Sequence, residues 1–293
     1  MQQKQSKSGR AALVFGLMLG AVSLAPHALG QTPAAMTITP MAQAQVQAPG
    51  SATMAPAARP AAPKSPAASW QAQHEQQLLQ DFPWLERFRA MNAALPAPAA
   101  QETRIVFLGD SITENWQHDG VPFVPTLPGQ PWVRINRGIS GQTTPQMVLR
   151  FYPDVLQLQP SVVVLMAGTN DIAGNTGPMT LQDSENNLAA MADMARTHHL
   201  RMVLCSVLPA SDFPWHRGLQ PAEKIRSLNA WIQSYAASHG IVYVDFWTAM
   251  ATPEGGMPAN ISLDGVHPNH AGYAIMNPLV DAGIRKALAQ PAP

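Results

Sequence analysis

The chain has 293 residues, with 18 Lys and Arg against 18 Asp and Glu and a single cysteine. Zero net charge, with no Lys/Arg cluster in the folded part, excludes a nucleic-acid binder that works by electrostatic attraction. A lone thiol, Cys205, excludes an internal disulfide framework, and its apolar neighbours make it a core residue rather than a nucleophile.

Lys4, Lys7 and Arg10 precede an apolar run over 11–25, which is shorter than the about 20 residues a bilayer span needs. Ala28-Leu29-Gly30 offers small residues at both positions that a signal peptidase reads. Residues 1–30 therefore read as a secretory signal, and the protein as exported to the periplasm or beyond, with no transmembrane span in the mature chain. An uncleaved membrane anchor is the alternative. Residues 31–69 are rich in Pro, Ala, Gln and Thr, and no acid occurs before Glu75. Such a segment buries too little apolar surface to offset its ordering entropy and reads as a disordered linker. The remainder, 70–293, is long enough for one domain with a good core. Its first part, 70–95, reads as a helical extension broken at Pro83, with Leu78, Leu79, Trp84, Leu85 and Phe88 available to pack on the domain.

Strand-like runs follow at 104–108, 132–136, 161–166, 201–208 and 241–245. They are short, rich in Val and Ile, and apolar on consecutive residues, the pattern of strands covered on both faces. Helical periodicity fills the gaps: 145–158, then a stripe of Leu181, Leu188, Met191 and Ala195, then Ile225, Leu228, Ile232 and Tyr235, and finally 271–289. This alternation predicts an α/β fold, a five-stranded parallel sheet between two layers of helices.

The first run ends abruptly in Gly109-Asp110-Ser111. In an open α/β sheet ligands bind beyond the carboxyl ends of the strands, so a serine there is a candidate nucleophile. Serine needs a base, and Asp264-Gly-Val-His267 supplies one: His267 accepts the proton while Asp264, three residues earlier, fixes its tautomer. A plain helix entry, capped by Asp264 ahead of Pro268, is the competing account of these residues, and His270 is a rival base. The attack also creates an oxyanion that needs donors. Gly138 ends the second run, and Asn170 follows the third; each taken alone is also an ordinary turn or cap residue. Asp110 and Asp171 read as loop-holding carboxylates. His198, His199 and His216 have no acidic partner at useful spacing.

These blocks, Gly109-Asp-Ser-Ile112, Asn136-Arg-Gly138, Gly168-Thr-Asn-Asp171 and Asp264-Gly-Val-His267, stand in order and spacing like those of the SGNH hydrolases, also called GDSL esterases and lipases, with Ile where the eponymous motif has Leu. The resemblance runs from about residue 104 to the C-terminus. It implies a flavodoxin-like α/β/α domain, no metal or cofactor, Ser111 as nucleophile, His267 as base and Asp264 as its partner. It also implies an oxyanion hole from the backbone amides of Ser111 and Gly138 and the side chain of Asn170. Asn136-Arg-Gly-Ile-Ser-Gly-Gln-Thr-Thr144 looks like the catalytic subunits of platelet-activating-factor acetylhydrolase and like bacterial acetylesterases that act on carbohydrates.

The expectation is thus a secreted serine esterase for short-acyl esters of small molecules or carbohydrates, a monomer or weak dimer. A lysophospholipase or thioesterase with a long-acyl pocket, and a non-catalytic envelope binding protein on the same fold, are the alternatives. Loops 118–131, 173–179 and 210–221 are expected to shape the pocket, with Trp116, Phe213 and Trp215 as an apolar or sugar-stacking wall or, equally, as core packing.

Overall fold

The computed structural model describes residues 66–116 and 132–293. The signal segment, most of the linker and the loop 118–131 lie outside the described residues.

Two helices lead in, α1 (Pro66–Gln80) and α2 (Glu86–Ala94). The break between them falls around Pro83. The first begins at Pro66, inside the stretch read as linker. Phe88 is buried, but Leu79 is 88% exposed and Leu85 stays at the surface, so the packing expected of those two leucines is not made.

The core is a sheet of five parallel strands in the order β2-β1-β3-β4-β5. They are β1 (Thr103–Gly109), β2 (Trp132–Gly138), β3 (Val162–Met166), β4 (Arg201–Cys205) and β5 (Val242–Val244). Between them lie α3 (Ser111–Asn115), α4 (Thr144–Asp154), α5 (Thr169–Ala173), α6 (Leu181–Thr197), α7 (Ala222–Ser238) and α8 (Trp247–Met250), with α9 (His270–Ala289) closing the chain. Consecutive apolar residues in the strands face opposite ways, so each face needs its own cover. Val106, Leu108, Val163 and Leu165 join Met147, Phe151, Leu188, Met191, Leu228 and Ile232 under α4, α6 and α7. Ile105, Phe107, Val162 and Val164 join Tyr273, Met276, Val280 and Ile284 under α9. Cys205 sits fully within this second core, and burial pushes its thiol pKa up, away from reactivity.

The fourth strand is shorter than its apolar run. Ser206 still donates its amide to Val244. Val207 then loses both backbone groups to the Asn229 side chain of α7, at 2.7 and 2.9 Å, and the ladder stops.

Strand order reverses at β1, which pairs with β2 on one side and β3 on the other. Such a switch point opens a crevice at the carboxyl ends. Gly109, Gly138 and Met166 lie in one register row there, so the loops carrying Ser111, the 139–143 turn and Asn170 all start from the same edge.

Candidate active site

Asp110 is the N-cap of α3; its carboxylate accepts the Ile112 amide at 2.9 Å, so Ser111 becomes the first helical residue. Burial pushes the Asp110 pKa up to about 6, against the pull of that hydrogen bond and of the nearby His267. Gly109 must be glycine: a Cβ there would come within 2.0 Å of Thr113 Oγ1 and 2.9 Å of the Met166 carbonyl. The same holds for Gly138, where a Cβ would lie 2.2 Å from the Glu114 backbone nitrogen. The two strand ends therefore close against α3 without side chains between them.

The candidate triad brings together residues 156 positions apart in sequence. Ser111 Oγ lies 2.9 Å from His267 Nε2, and His267 Nδ1 lies 2.7 Å from Asp264 Oδ2. The other carboxylate oxygen of Asp264 accepts the amides of Val266 and His267 at 3.0 and 2.8 Å. Asp264 thus folds its own loop while it faces the imidazole. Burial works to raise its pKa, but the ring and amide hydrogen bonds and the His267 charge hold it well below the usual carboxylate range. For His267 the balance runs the other way round. Burial disfavours the cation, yet Asp264, and to a lesser degree Asp110, raise the pKa above its ordinary value. An acceptor at Nδ1 keeps the proton on that nitrogen and leaves the Nε2 lone pair toward Ser111.

Ser262 and Tyr273, both outside the sequence motifs, brace the site. The Ser262 hydroxyl donates to the His267 carbonyl at 2.7 Å and accepts the Gly265 amide at 3.0 Å. Tyr273 on α9 donates its hydroxyl to the Ile112 carbonyl at 2.8 Å, tying α9 to α3. His270 is the exposed first residue of α9.

The candidate oxyanion donors are less simply arranged. As an amide at the start of a helix, Ser111 N–H has no partner within the helix itself. The Gly138 amide donates to Asn136 Oδ1 at 2.8 Å, and Asn136 Nδ2 donates to the Thr113 carbonyl at 2.7 Å. The Gly138 amide, which the family resemblance implies as an oxyanion donor, is therefore already engaged by Asn136. Asn170 is buried; its Nδ2 donates to the Gln142 carbonyl at 3.0 Å and approaches Asp110 Oδ2 at 3.3 Å, while its Oδ1 accepts from Asn175 at 2.8 Å. Asp171 holds the next layer, accepting from the amide and hydroxyl of Thr144 and the hydroxyl of Ser184, so it fastens α4 to α6.

Arg150 is the largest element that the sequence did not reveal. Fully buried on α4, it donates to the Gly109 carbonyl at 3.0 Å, to the Arg137 carbonyl at 2.7 Å and to Gln142 Oε1, and pairs with Asp154. One guanidinium thus holds the last carbonyls before Asp110 and before Gly138. Burial lowers its pKa to about 10, which leaves it charged at neutral pH. With Asp154 four residues on, the pair reads in sequence like any surface salt bridge.

Of the expected aromatic wall, only one ring is at the surface. Trp116 is 1% exposed, stacked on Tyr273 and edge-on to Phe107 and Phe246, with its indole N–H on Asn277; it is core, not wall. Its position one residue past α3 turns it under the sheet. Phe213 is also fully buried and lies beneath Trp215, centroids 5.2 Å apart. Trp215 is 42% exposed and tilts against the His267 ring at 5.9 Å. Among the described residues no group of three His, Cys, Asp or Glu is placed to hold a metal ion, and no helix is long and apolar enough to cross a membrane.

A model of the GDSL-like lipase/acylhydrolase family matches residues 107–275. The crystal structure of a GDSL-like lipase from Bacteroides thetaiotaomicron VPI-5482 is 40% identical, with a TM-score of 0.66, over 71% of this chain and 100% of that one. The acetylxylan esterase of Xylanibacter ruminicola is 27% identical over 74% of this chain and 49% of its own length. An uncharacterised lipoprotein, YqeF of Bacillus subtilis, is 33% identical over 36% of this chain and 48% of its own. The chain thus spans about half the length of the curated relatives it matches.

Proposed function

The chain belongs to the GDSL-like lipase/acylhydrolase family, a family of carboxylic ester hydrolases, and on that premise we propose that it hydrolyses short-acyl, acetyl-type esters through an acyl-enzyme on Ser111. The observation that carries this reading is the chain of contacts Ser111 Oγ to His267 Nε2 to Asp264, 2.9 and 2.7 Å, at the sheet's switch point.

In this mechanism Ser111 Oγ attacks the ester carbonyl and passes its proton to His267 Nε2. Asp264 stabilises the imidazolium so formed. The tetrahedral oxyanion is met by the Ser111 amide and by Asn170 Nδ2, whose longer contact, to Asp110, is the one it exchanges; Gly138 joins them once its amide turns from Asn136 Oδ1. Collapse expels the alcohol, protonated by His267. Water then takes the alcohol's place, loses its proton to His267 and releases the acid and free Ser111.

Acetyl specificity is supported by the relative named an acetylxylan esterase. A carbohydrate alcohol is supported by Trp215, a half-exposed ring beside the base that can lie flat against a sugar face. The long-acyl alternative draws on Leu263, which is 87% exposed between Ser262 and Asp264 and offers apolar surface at the rim. Export rests on the basic-then-apolar N-terminus and on the lipoprotein relative.

The deciding experiment is a series of p-nitrophenyl esters from acetate to palmitate. Each methylene buried in an apolar trough contributes about 0.8 kcal/mol, so a long-acyl enzyme gains kcat/KM with every carbon until the trough is full. A closed pocket peaks early, at about two to four carbons, which is the expected result. A profile still climbing at about eight carbons assigns the protein to the long-acyl class instead.

The pH profile is a second expected result. Imidazolium cannot accept the Ser111 proton, and the His267 pKa is raised. Activity therefore falls on the acid side, with the kcat/KM midpoint above about 6.5. Asp264 stays ionised throughout that range. A midpoint at or below the ordinary histidine value, from initial rates in overlapping buffers, would mean that burial outweighs Asp264 at the ring, and a rate with no acid-side fall contradicts the assignment of His267 as the base.

A further inference from the structure

We infer that Trp215 and Asn175 are positioning residues that determine which end of the Asn170 carboxamide faces the reacting ester. The inference rests on the reading of Asn170 as an oxyanion donor. A carboxamide has nearly the same shape in either orientation, but its oxygen would repel the charge that its nitrogen stabilises. Something must therefore fix the direction of the Asn170 side chain.

An indole N–H can only donate. Trp215 Nε1 donates to Asn175 Oδ1 at 3.0 Å, which turns Asn175 Nδ2 the other way. That nitrogen meets the Gly141 carbonyl at 3.2 Å and Asn170 Oδ1 at 2.8 Å. The oxygen of Asn170 is thereby taken up, and its nitrogen points to the Gln142 carbonyl at 3.0 Å and toward Asp110 Oδ2 at 3.3 Å. The chain of donors begins at a group that cannot accept and runs past carbonyls that cannot donate, so reversing either amide sets two donors or two acceptors against each other. Trp215 is itself held in place. Phe213 stacks beneath it, and His216, next in the chain, contacts the Ala173 carbonyl through Nδ1 at 2.7 Å. The ring that borders the base at 5.9 Å thus also orients the oxyanion donor, by a separate atom.

Because the ring and its N–H do different things, they separate by substitution. Trp215→Phe keeps an aromatic face and removes the donor. With p-nitrophenyl acetate it is expected to lower kcat about tenfold and leave KM within about twofold, since oxyanion contacts act in the transition state. Asn175→Asp can only accept; it draws Asn170 Nδ2 toward itself and is expected to match Asn170→Ala, a loss of about a hundredfold in kcat. In the Asn170→Ala background, Trp215→Phe should change kcat by less than about twofold, because residues acting through one another are not additive.

A Trp215→Phe effect confined to KM, or one that persists in full in the Asn170→Ala background, overturns the inference: the ring is then only a wall or a packing element. If Asn170→Ala is severe while Asn175→Asp and Trp215→Phe are mild, the positioning role falls and the oxyanion reading stands. If Asn170→Ala itself is mild, both fall. Should Asn175→Asp not fold, as judged by its thermal melt, the Trp215→Phe and Asn170→Ala cycle decides alone.

Discussion

Replacing Ser111 with alanine is expected to reduce ester hydrolysis by about a thousandfold or more while leaving the fold intact, the size of loss seen when an activated serine is removed from a triad. The two halves of this expectation come from different atoms. Catalysis is lost because Oγ is the proposed attacking atom and the partner of His267 Nε2 at 2.9 Å. The fold survives because the local structure does not depend on that hydroxyl. Asp110, not Ser111, caps α3 through the Ile112 amide, and Glu114 continues the turn with its amide on the Asp110 carbonyl. The closure of the strand ends on α3 depends on Gly109 and Gly138, and the carbonyl ends are held by Arg150. Alanine at 111 also removes no buried apolar volume. The check is steady-state hydrolysis of p-nitrophenyl acetate alongside a thermal melt. A variant that keeps more than about a tenth of wild-type activity removes Ser111 from the role of nucleophile.

The strands and the four motif blocks were legible in sequence because each is a local signal. Four apolar residues followed by Gly-Asp-Ser can be read without knowing what packs against them, and alternation with helices orders the strands on one edge. What escaped is what depends on distant partners. The end of β4 is set by Asn229, from a helix 22 residues on, and no window around Val207 contains it. Trp116 follows a helix of five residues, too short for periodicity to say which face turns inward, and its partners Tyr273 and Asn277 lie far along the chain. Arg150 looks like half of a surface ion pair because its i+4 partner is acidic; its burial follows from two carbonyl ends brought together by strand pairing. Asn175 is one polar residue in a glycine-rich turn, and its importance appears only once Asn170 and Trp215 are on either side of it. Chemistry that needs a particular residue type at a strand end is written locally; the orientation of that residue is not.

The Asp264→Asn variant tests orientation most sharply, because it changes one atom and no volume. An expected loss of about 10³- to 10⁴-fold in kcat follows from the tautomer it imposes. The Asn side chain can keep its oxygen on the Val266 and His267 amides, now at 3.0 and 2.8 Å, so the loop need not move. Its nitrogen then replaces the carboxylate oxygen 2.7 Å from His267 Nδ1. A donor in that place forces Nδ1 to accept, which puts the imidazole proton on Nε2, facing Ser111 Oγ. The base then presents a hydrogen where it needs a lone pair. The substitution also removes the main influence that raises the His267 pKa and leaves burial, which lowers it, opposed only by the weaker pull of Asp110. The residual activity should therefore have its acid-side midpoint at lower pH than the wild type. A merely structural role for Asp264 would reduce activity without moving that midpoint. Activity within about tenfold of wild type, or an unshifted pH profile, would mean that His267 takes its tautomer from some other group and that the Asp264 contact only shapes the loop.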